Sequence, residues 1–499
     1  MDVFAHLGLG FTTALSFYNI GFCFVGVFLG TLVGVLPGIG PVATISMLLP
    51  ITFAMPPVSA LIMMAGIYYG TQYGGSTTSI LINMPGEASS IVTALDGYQM
   101  ARKGRAGAAL ATAAIGSFFA GTVSTVLIAV LAPPLTELAL RVGSPEYFAL
   151  MVLGLVASIS LAQGSIVKAL GMLMLGVLLG TIGQDMDSGA ERFTFGIPDL
   201  ADGLEFVAIA MGLFGLCEIV RNLEDESVRS MITQKVGGLV LSRADVRQIA
   251  LPILRGTALG SILGVLPGGG AILASFAAYS IEKKISKTPE AFGKGAIEGV
   301  ASPESANNAA AQTSFIPMLT LGIPATPVMA LMIGAMIVQG ITPGPTVMLQ
   351  KPDLFWGLIA SMWIGNAMLL VLNLPLVGIW VKLLSIPYQY LFPAIIGFCC
   401  IGILSISNNP FHVYTMIVFG LGGYLLMRLD FEPAPLLLGF VIGPMLEENL
   451  RRSFVLSGGD PRIFVERPVT AILLAIAIIV LVVAALPTIR QKRTEAFAE

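Results

Sequence analysis

The chain has 499 residues, of which 56% are hydrophobic and only 11% charged, and its mean hydropathy is +0.88. Soluble chains carry about 25% charged residues, so this one cannot present a solvated surface on every side and reads as an integral membrane protein. The net charge of −3 says nothing about nucleic acid, but no basic run is long enough to track a phosphate backbone, and no nucleic-acid partner is expected.

In chain order, residues 1–15 are weakly amphipathic and read as an interfacial lead-in. No basic region or cleavage signal precedes the first hydrophobic stretch, which is expected to be retained. The first span covers Phe17 to Leu36 and ends in Gly34-Val35-Leu36-Pro37-Gly38-Ile39-Gly40. Proline and clustered glycines there break the helix and leave backbone groups unpaired. In lipid such a break is tolerated only inside protein or beside a cavity. Pro41 to Pro50 is too short to cross a bilayer, which takes about 20 residues, and reads as half of a re-entrant hairpin or a very short helix. Next come Gly74-Gly75-Ser76-Thr77-Thr78-Ser79 and Ile82-Asn83-Met84-Pro85-Gly86-Glu87, the least lipid-like sequence of this half. Hydroxyls in membrane helices often bond the preceding turn. Their density here, ahead of Pro85, favours a cavity lining. Arg102-Lys103-Gly104-Arg105 forms a basic loop, and spans follow near 106–132, 147–163, 165–183 and 204–220. The polar stretch within 226–248 separates a first membrane repeat (1–225, broken at 34–50 and 70–90) from a second (249–499, broken at 264–280 and 300–327). The second carries further helices toward its C-terminus.

The second half repeats the order. Gly264-Val265-Leu266-Pro267-Gly268-Gly269-Gly270 echoes the first break at an offset of 230 residues, and Gly260 matches Gly30. Glu298-Gly299-Val300-Ala301-Ser302-Pro303-Glu304-Ser305-Ala306-Asn307-Asn308 is again unlike lipid-facing sequence. Leu319-Thr320-Leu321-Gly322-Ile323-Pro324 places Pro324 where Pro85 stood. One break alone reads equally well as a helix kink or a close-packing device. Two in register point to a transporter's binding site, where half-helix ends offer amides to carboxylates and carbonyls to sodium. Spans near 354–374, 376–384, 391–405, 411–427, 433–446 and 469–487 complete roughly a dozen apolar windows.

Basic residues mark cytoplasmic loops. Arg102, Lys103 and Arg105 follow the Pro85 piece of the first half. Lys283, Lys284 and Lys287 follow the Leu-Pro-Gly piece of the second. Corresponding loops are therefore expected on opposite sides, as in inverted repeats. The last span is flanked by Arg451, Arg452, Arg462 and Arg467 before it and Arg490, Lys492 and Arg493 after it. Charge thus leaves its direction open.

Among carboxylates, Glu87, Asp96, Glu298 and Glu304 lie near membrane-embedded segments, where such groups default to functional roles. Asp96, near Arg102, reads as an ordinary loop residue. Glu304 is the better candidate for holding a cation, with Asn307 and Asn308 offering both donors and acceptors. No dinucleotide, phosphate-loop or HExxH motif is present, and no enzyme activity is expected. Cys23, Cys217, Cys399 and Cys400 lack CxxC or ligand spacing, and His6 and His412 are far apart. No cofactor is expected beyond a sodium ion as coupling ion.

Several stretches together resemble the large membrane subunit of the tripartite tricarboxylate transporters. They are Gly34 to Gly40, Tyr73 to Glu87, Asp96 to Gly104, Leu266 to Gly270, Phe292 to Val300, Pro303 to Asn308, Leu319 to Pro324 and Gln339 to Pro345. The resemblance covers nearly the whole chain. It implies a bacterial inner-membrane secondary transporter working with a small membrane subunit and a periplasmic solute-binding protein. Such a system imports a carboxylate such as citrate, coupled to sodium or protons. Where the family tends to have glycine after the second Ile-Pro, this chain has Ala325.

The expected fold is all-α and polytopic, two inverted repeats with broken or re-entrant helices, of elevator type. The expected substrate contacts are Pro37, Gly38, Gly40, Ser76, Thr77, Thr78 and Asn83 from the first half. The second half supplies Pro267, Gly268, Gly270, Asn307, Asn308, Thr320, Gly322 and Pro324. Cation coupling falls to Gly38, Asn83, Glu304 and Asn308. A carboxylate-sensing scaffold or receptor subunit, or a channel, is the alternative, and homo-oligomerisation stays open.

Overall fold

A computed structural model describes residues 3–36, 40–161, 165–185, 188–224, 238–266, 270–383, 388–407 and 409–485. The expected contacts Pro37, Gly38, Pro267 and Gly268, residues 226–237 of the linker and the basic residues after 485 lie outside the described residues. The first half contains α1 (Val3–Ala14), α2 (Phe17–Val35), α3 (Pro41–Thr52), α4 (Pro57–Ile82), α5 (Ile91–Met100) and α6 (Ala106–Ala139). It continues through α7 (Ser144–Leu161), α8 (Ile166–Gly180), the hairpin β1 (Gly183–Gln184) and β2 (Glu191–Arg192), α9 (Phe206–Ala210) and α10 (Cys217–Glu224). The second half contains α11 (Arg243–Val265), α12 (Gly270–Ile285), α13 (Glu298–Thr313), α14 (Phe315–Leu321), α15 (Pro327–Val338), α16 (Thr346–Gln350) and α17 (Pro352–Asn373). After them come α18 (Val377–Leu383), α19 (Tyr388–Ser407), α20 (Pro410–Arg428), α21 (Pro433–Leu456), α22 (Ile463–Glu466) and α23 (Pro468–Ala485).

Among the described residues, five helices are long and apolar enough to cross a membrane: Phe17–Val35, Ala88–Ala139, Arg243–Val265, Pro352–Asn373 and Pro410–Arg428. Shorter apolar helices, including Pro41–Thr52 and Pro327–Val338, account for most of the other apolar windows. The difference has a physical cause. Breaks at Leu36 and Leu266 cut apolar runs in two, and α4 carries the polar residues Thr71 to Ser79 within its length.

Two helix seams organise the centre. Along α2, Gly26, Gly30 and Gly34 lie against the carbonyls of Met63, Ile67 and Thr71 on α4, so closely that a β-carbon on any of them would collide. Gly74 lies as tightly against the carbonyl of Thr31. Along α11, Gly256, Gly260 and Gly264 meet the carbonyls of Ser302, Ala306 and Ala310 on α13 in the same way. The glycines of the two seams differ by 230 residues throughout and their carbonyl partners by 239. Small residues let membrane helices approach to backbone contact, where dispersion and weak polar contacts hold them. The halves also interleave: α13 packs on α6, and α4 packs on α17.

Each seam ends in a tip. Helix α4 stops at Asn83 (φ +57°, ψ 29°), two residues before Pro85, and α14 stops at Gly322 (φ +71°, ψ 22°), two residues before Pro324. Both are left-handed C-caps, a conformation that asparagine and glycine tolerate best. The expected broken segment 70–90 is narrowed here. Helix α4 runs intact to Ile82, and the interruption is confined to Asn83–Glu87.

Connections pair across the halves. Lys103 Nζ donates to the Lys294 carbonyl at 2.5 Å, and Arg105 pairs with Asp245 at 2.5 Å. Between the other two ends, Gln339 Nε2 donates to the Thr52 carbonyl at 2.8 Å. Asp96 is a second correction. It is fully buried in α5, not a loop residue. Its Oδ1 accepts the amides of Gly295 (2.7 Å) and Ala296 (2.8 Å), and its Oδ2 accepts the Tyr279 hydroxyl at 2.9 Å. This carboxylate clasps the segment that leads into α13. In the N-terminal stretch, α1 packs on α17, with His6 stacked on Trp356 at 5.4 Å between ring centroids.

Further out, α8 packs on α21, with Gly176 against the carbonyl of Leu436 and Gly439 against that of Leu173. Arg451 anchors the β1–β2 hairpin to α21 through Asp185, with nitrogen–oxygen distances of 2.5 and 3.0 Å.

The seams generate a direct test. Gly260→Val forces α11 away from the Ala306 carbonyl and is expected to cost at least about 1–3 kcal/mol. Thermal unfolding of purified protein in detergent should fall accordingly. Gly21→Val, where no atom lies within 4 Å of the added carbon, should leave it near the wild-type value.

Candidate functional site

The side chains that the sequence placed at the centre fall into a buried cluster and two tips. The cluster is built on Glu304, which is 0% exposed on α13. Ser302, Ala306 and Ala310 turn one face of α13 to α11. A residue two places on from Ser302 is rotated by about 200°, so Glu304 points to the opposite side, toward α4 and α5. There Ser76 Oγ donates to its Oε2 at 2.5 Å, and the Thr93 hydroxyl donates to its Oε1. Among the described residues no lysine, arginine or histidine forms an ion pair with it.

One turn further along α13, Asn308 Nδ2 lies 3.0 Å from the Glu304 carbonyl, 2.7 Å from Ser117 Oγ on α6 and 2.7 Å from Asn307 Oδ1. The Nδ2 of Asn307 is buried and has no partner. Tyr73, also on α4, donates to Asn366 Oδ1 of α17 at 2.5 Å. Ser76 of α4 and Thr93 of α5 thus reach the carboxylate directly, and Ser117 of α6 and Asn366 of α17 extend the polar network around it.

The first tip is held to the end of α2. Thr78 Oγ1 lies 3.1 and 3.4 Å from the carbonyls of Gly34 and Val35, the unpaired acceptors that the break leaves behind. Gly86 packs against the Gly34 carbonyl with no room for a side chain. Glu87 follows, with its Oε2 3.7 Å from where a β-carbon on Gly40 would lie. Gly40 is the N-cap of α3. The second tip has the same plan with different chemistry. Thr326 lies against Gly270 (φ +49°), its methyl 3.1 Å from the equivalent point, and Thr326 caps α15 through the Met329 amide at 3.3 Å. Tyr68, 4% exposed, lies beside Thr326 and Ser314 and within the electrostatic reach of Glu87. It bridges the two tips.

Of the expected contacts, Ser76, Glu304, Asn307 and Asn308 are brought together, and Thr77 is buried beside them. Gly40, Thr78 and Gly270 lie at the tips. Asn83 is an exposed helix cap, away from Glu304's hydrogen bonds. The Thr320 hydroxyl returns to the Ile316 carbonyl at 2.8 Å, the ordinary bond of a membrane-helix threonine. Gly322 serves the cap and lies against the Pro343 carbonyl, and Pro324 is buried beside Ala325.

Sequence reasoning missed Thr93, Tyr68, Ser117 and Thr326. Only Thr93 left a usable trace: it stands three residues before Asp96, so the two share one face of α5.

The family model described as "Tripartite tricarboxylate transporter TctA family" matches residues 20–438. An "Uncharacterized 52.8 kDa protein in TAR-I ttuC' 3'region" of Agrobacterium vitis is 66% identical over 499 residues, covering 100% of this chain and 99% of that protein. An "Uncharacterized protein in TAR-II ttuC' 3'region" of the same organism is 65% identical over 240 residues, 48% of this chain and 99% of that protein. No solved structure matches the chain. A match over most of the length, on a helical fold with several helices long and apolar enough to cross a membrane, leads to one conclusion: the chain belongs to the tripartite tricarboxylate transporter TctA family.

Proposed function

We propose that this chain is the large transmembrane subunit of a binding-protein-dependent secondary transporter. It imports a carboxylate, a tricarboxylate such as citrate or a related dicarboxylate, with a sodium or proton gradient. It works in a bacterial inner membrane with a small membrane subunit and a periplasmic solute-binding protein. The observation that carries the reading is Glu304, enclosed in the fold and bonded by neutral groups, among them Ser76 and Thr93 of the other half. An unpaired charge in such a place costs several kcal/mol. A proton or a sodium ion relieves that cost, and its arrival or departure acts on the contact between the halves.

The pairing of connections supports an inverted relation of the two repeats. The turn after α5 meets the connection after α12, and the end of α15 meets the end of α3. These are non-corresponding connections, as an inverted arrangement requires. Moving one body of helices against another then exposes the tips to either side in turn.

The tips divide the labour. Glu87 beside Gly40 repels an anion and favours a cation. Thr326 turns its methyl to Gly270 and brings no charge to the start of α12, where helix amides favour a substrate carboxylate.

Two measurements test this reading in proteoliposomes containing the chain with both partner subunits. Glu304→Gln should lower gradient-driven accumulation of labelled citrate, or of the related acid that the binding protein accepts, by about a hundredfold, a loss near 2.7 kcal/mol. Accumulation at wild-type rates with unchanged ion dependence would remove Glu304 from coupling. Thr326→Val should raise the KM for the carboxylate about tenfold, and Thr326→Ser should restore it. An unchanged KM in the valine variant would move the anion site elsewhere.

A further inference from the structure

Between α4, α6 and the C-terminal end of α17 lies a small cavity with about 10 Å³ of space for the centre of a water-sized sphere. That is room for roughly one water molecule, which needs two to four polar partners to stay. Tyr73, Ser76, Thr77, Ser117 and Asn373 supply the polar wall. The alanines Ala113 and Ala114 of α6 leave the space open.

Two of these groups are already engaged with the carboxylate cluster. Ser76 Oγ donates to Glu304, and Ser117 Oγ accepts from Asn308. Asn373 is 4% exposed; its Nδ2 donates to the Leu369 carbonyl at 3.0 Å, and its Oδ1 has no partner. A buried acceptor of this kind costs about 1–3 kcal/mol if left unmet, and a water in the cavity meets it.

The cavity's position along α6 gives it a direction. The helix starts at Ala106, directly after the basic turn Arg102–Arg105. At 1.5 Å per residue, the lining residues Leu110 and Ser117 lie roughly 6 and 17 Å along the helix from there. The cavity thus occupies the depth between the basic turn and the level of Asn308. Basic turns mark the cytoplasmic side.

We propose that this cavity holds water and forms the proton route between Glu304 and the face that carries Arg102, Lys103 and Arg105. The inference rests on Glu304 as the coupling carboxylate and adds that the coupling ion is a proton and where it leaves. On release, the Glu304 O–H bond breaks and the Ser76 hydroxyl takes that proton. The hydroxyl's own hydrogen passes to the water, and one positive charge leaves past Asn373 while Glu304 remains as carboxylate.

The groups around Glu304 suit this step. On α4 they are Ser76 and Tyr73, the latter's phenol bonded to Asn366; on α5, Thr93; on α6, Ser117; on α13, Asn307 and Asn308. Of the charged groups on helices packed against α13, Glu137, Arg243, Arg247, Lys283 and Lys284 are exposed, and the buried ones are bonded elsewhere. Asp96 is bonded to Tyr279 and two amides, and Arg255 of α11 pairs with Glu282 of α12 at 2.5 Å.

The test is infrared difference spectroscopy of the full chain in lipid nanodiscs after a pH jump, which needs no substrate. The carboxyl band that disappears in Glu304→Gln reports this group. Ala114→Leu fills the cavity, and Asn373→Leu, close to asparagine in size, removes the acceptor. Each is expected to slow the band's response by at least about tenfold, with the elution profile and helical content of wild type. If the band responds at the wild-type rate in both variants, the cavity is not the route and the proposal falls while Glu304 keeps its role. If Glu304→Gln removes no titrating band, the coupling role itself fails and takes the route with it.

Discussion

A helix that ends inside a membrane must place its last carbonyls somewhere, and here the glycine seams decide where. Because Gly26, Gly30 and Gly34 have no side chains, α2 lies on the backbone of α4. Thr78 is thereby carried to the carbonyls of Gly34 and Val35. The same constraint on α11 fixes the rotation of α13. With Ser302, Ala306 and Ala310 committed to the seam, Glu304 has only the opposite side to face. The location of the Glu304 carboxylate is thus set by residues that never touch it. A larger residue at a seam position displaces a whole helix and everything that helix presents.

Much of this plan was legible in the chain. The paired breaks, the 230-residue phase of the glycines, the matching of Pro85 with Pro324 and the singling out of Glu304 all rest on local patterns. Local patterns gave less at Ser76 to Asn83. Polar density read as irregular backbone, yet Ser76 and Thr78 lie within hydrogen-bond reach of the Gln72 and Gly74 carbonyls, and the helix continues. A hydroxyl can send its hydrogen across a packed interface, as Ser76 does to Glu304, and leave its own helix backbone undisturbed. Asn83 was chosen for its amide, but its value to the fold is its tolerance of a left-handed backbone.

Thr93, Asp96 and Tyr68 stayed hidden for another reason. Their partners stand in the other half, 211 residues away for Thr93 and Glu304 and 200 for Asp96 and Ala296. No periodicity or spacing rule reaches that far. Asp96 was read through its neighbour Arg102, whereas its bonds all go to Tyr279, Gly295 and Ala296.

Those long separations set an order on how the chain matures. At about 5–20 residues per second of synthesis, α13 emerges roughly 10–40 s after α5. For that interval Thr93 and Asp96 are in or near the bilayer without the groups they bond in the finished fold. The first half can form its own seam, since α2 and α4 are separated only by α3 in the chain, but it cannot seat α5. Completion of the carboxylate's surroundings is therefore a late event that follows insertion of both halves, and neither half owns it.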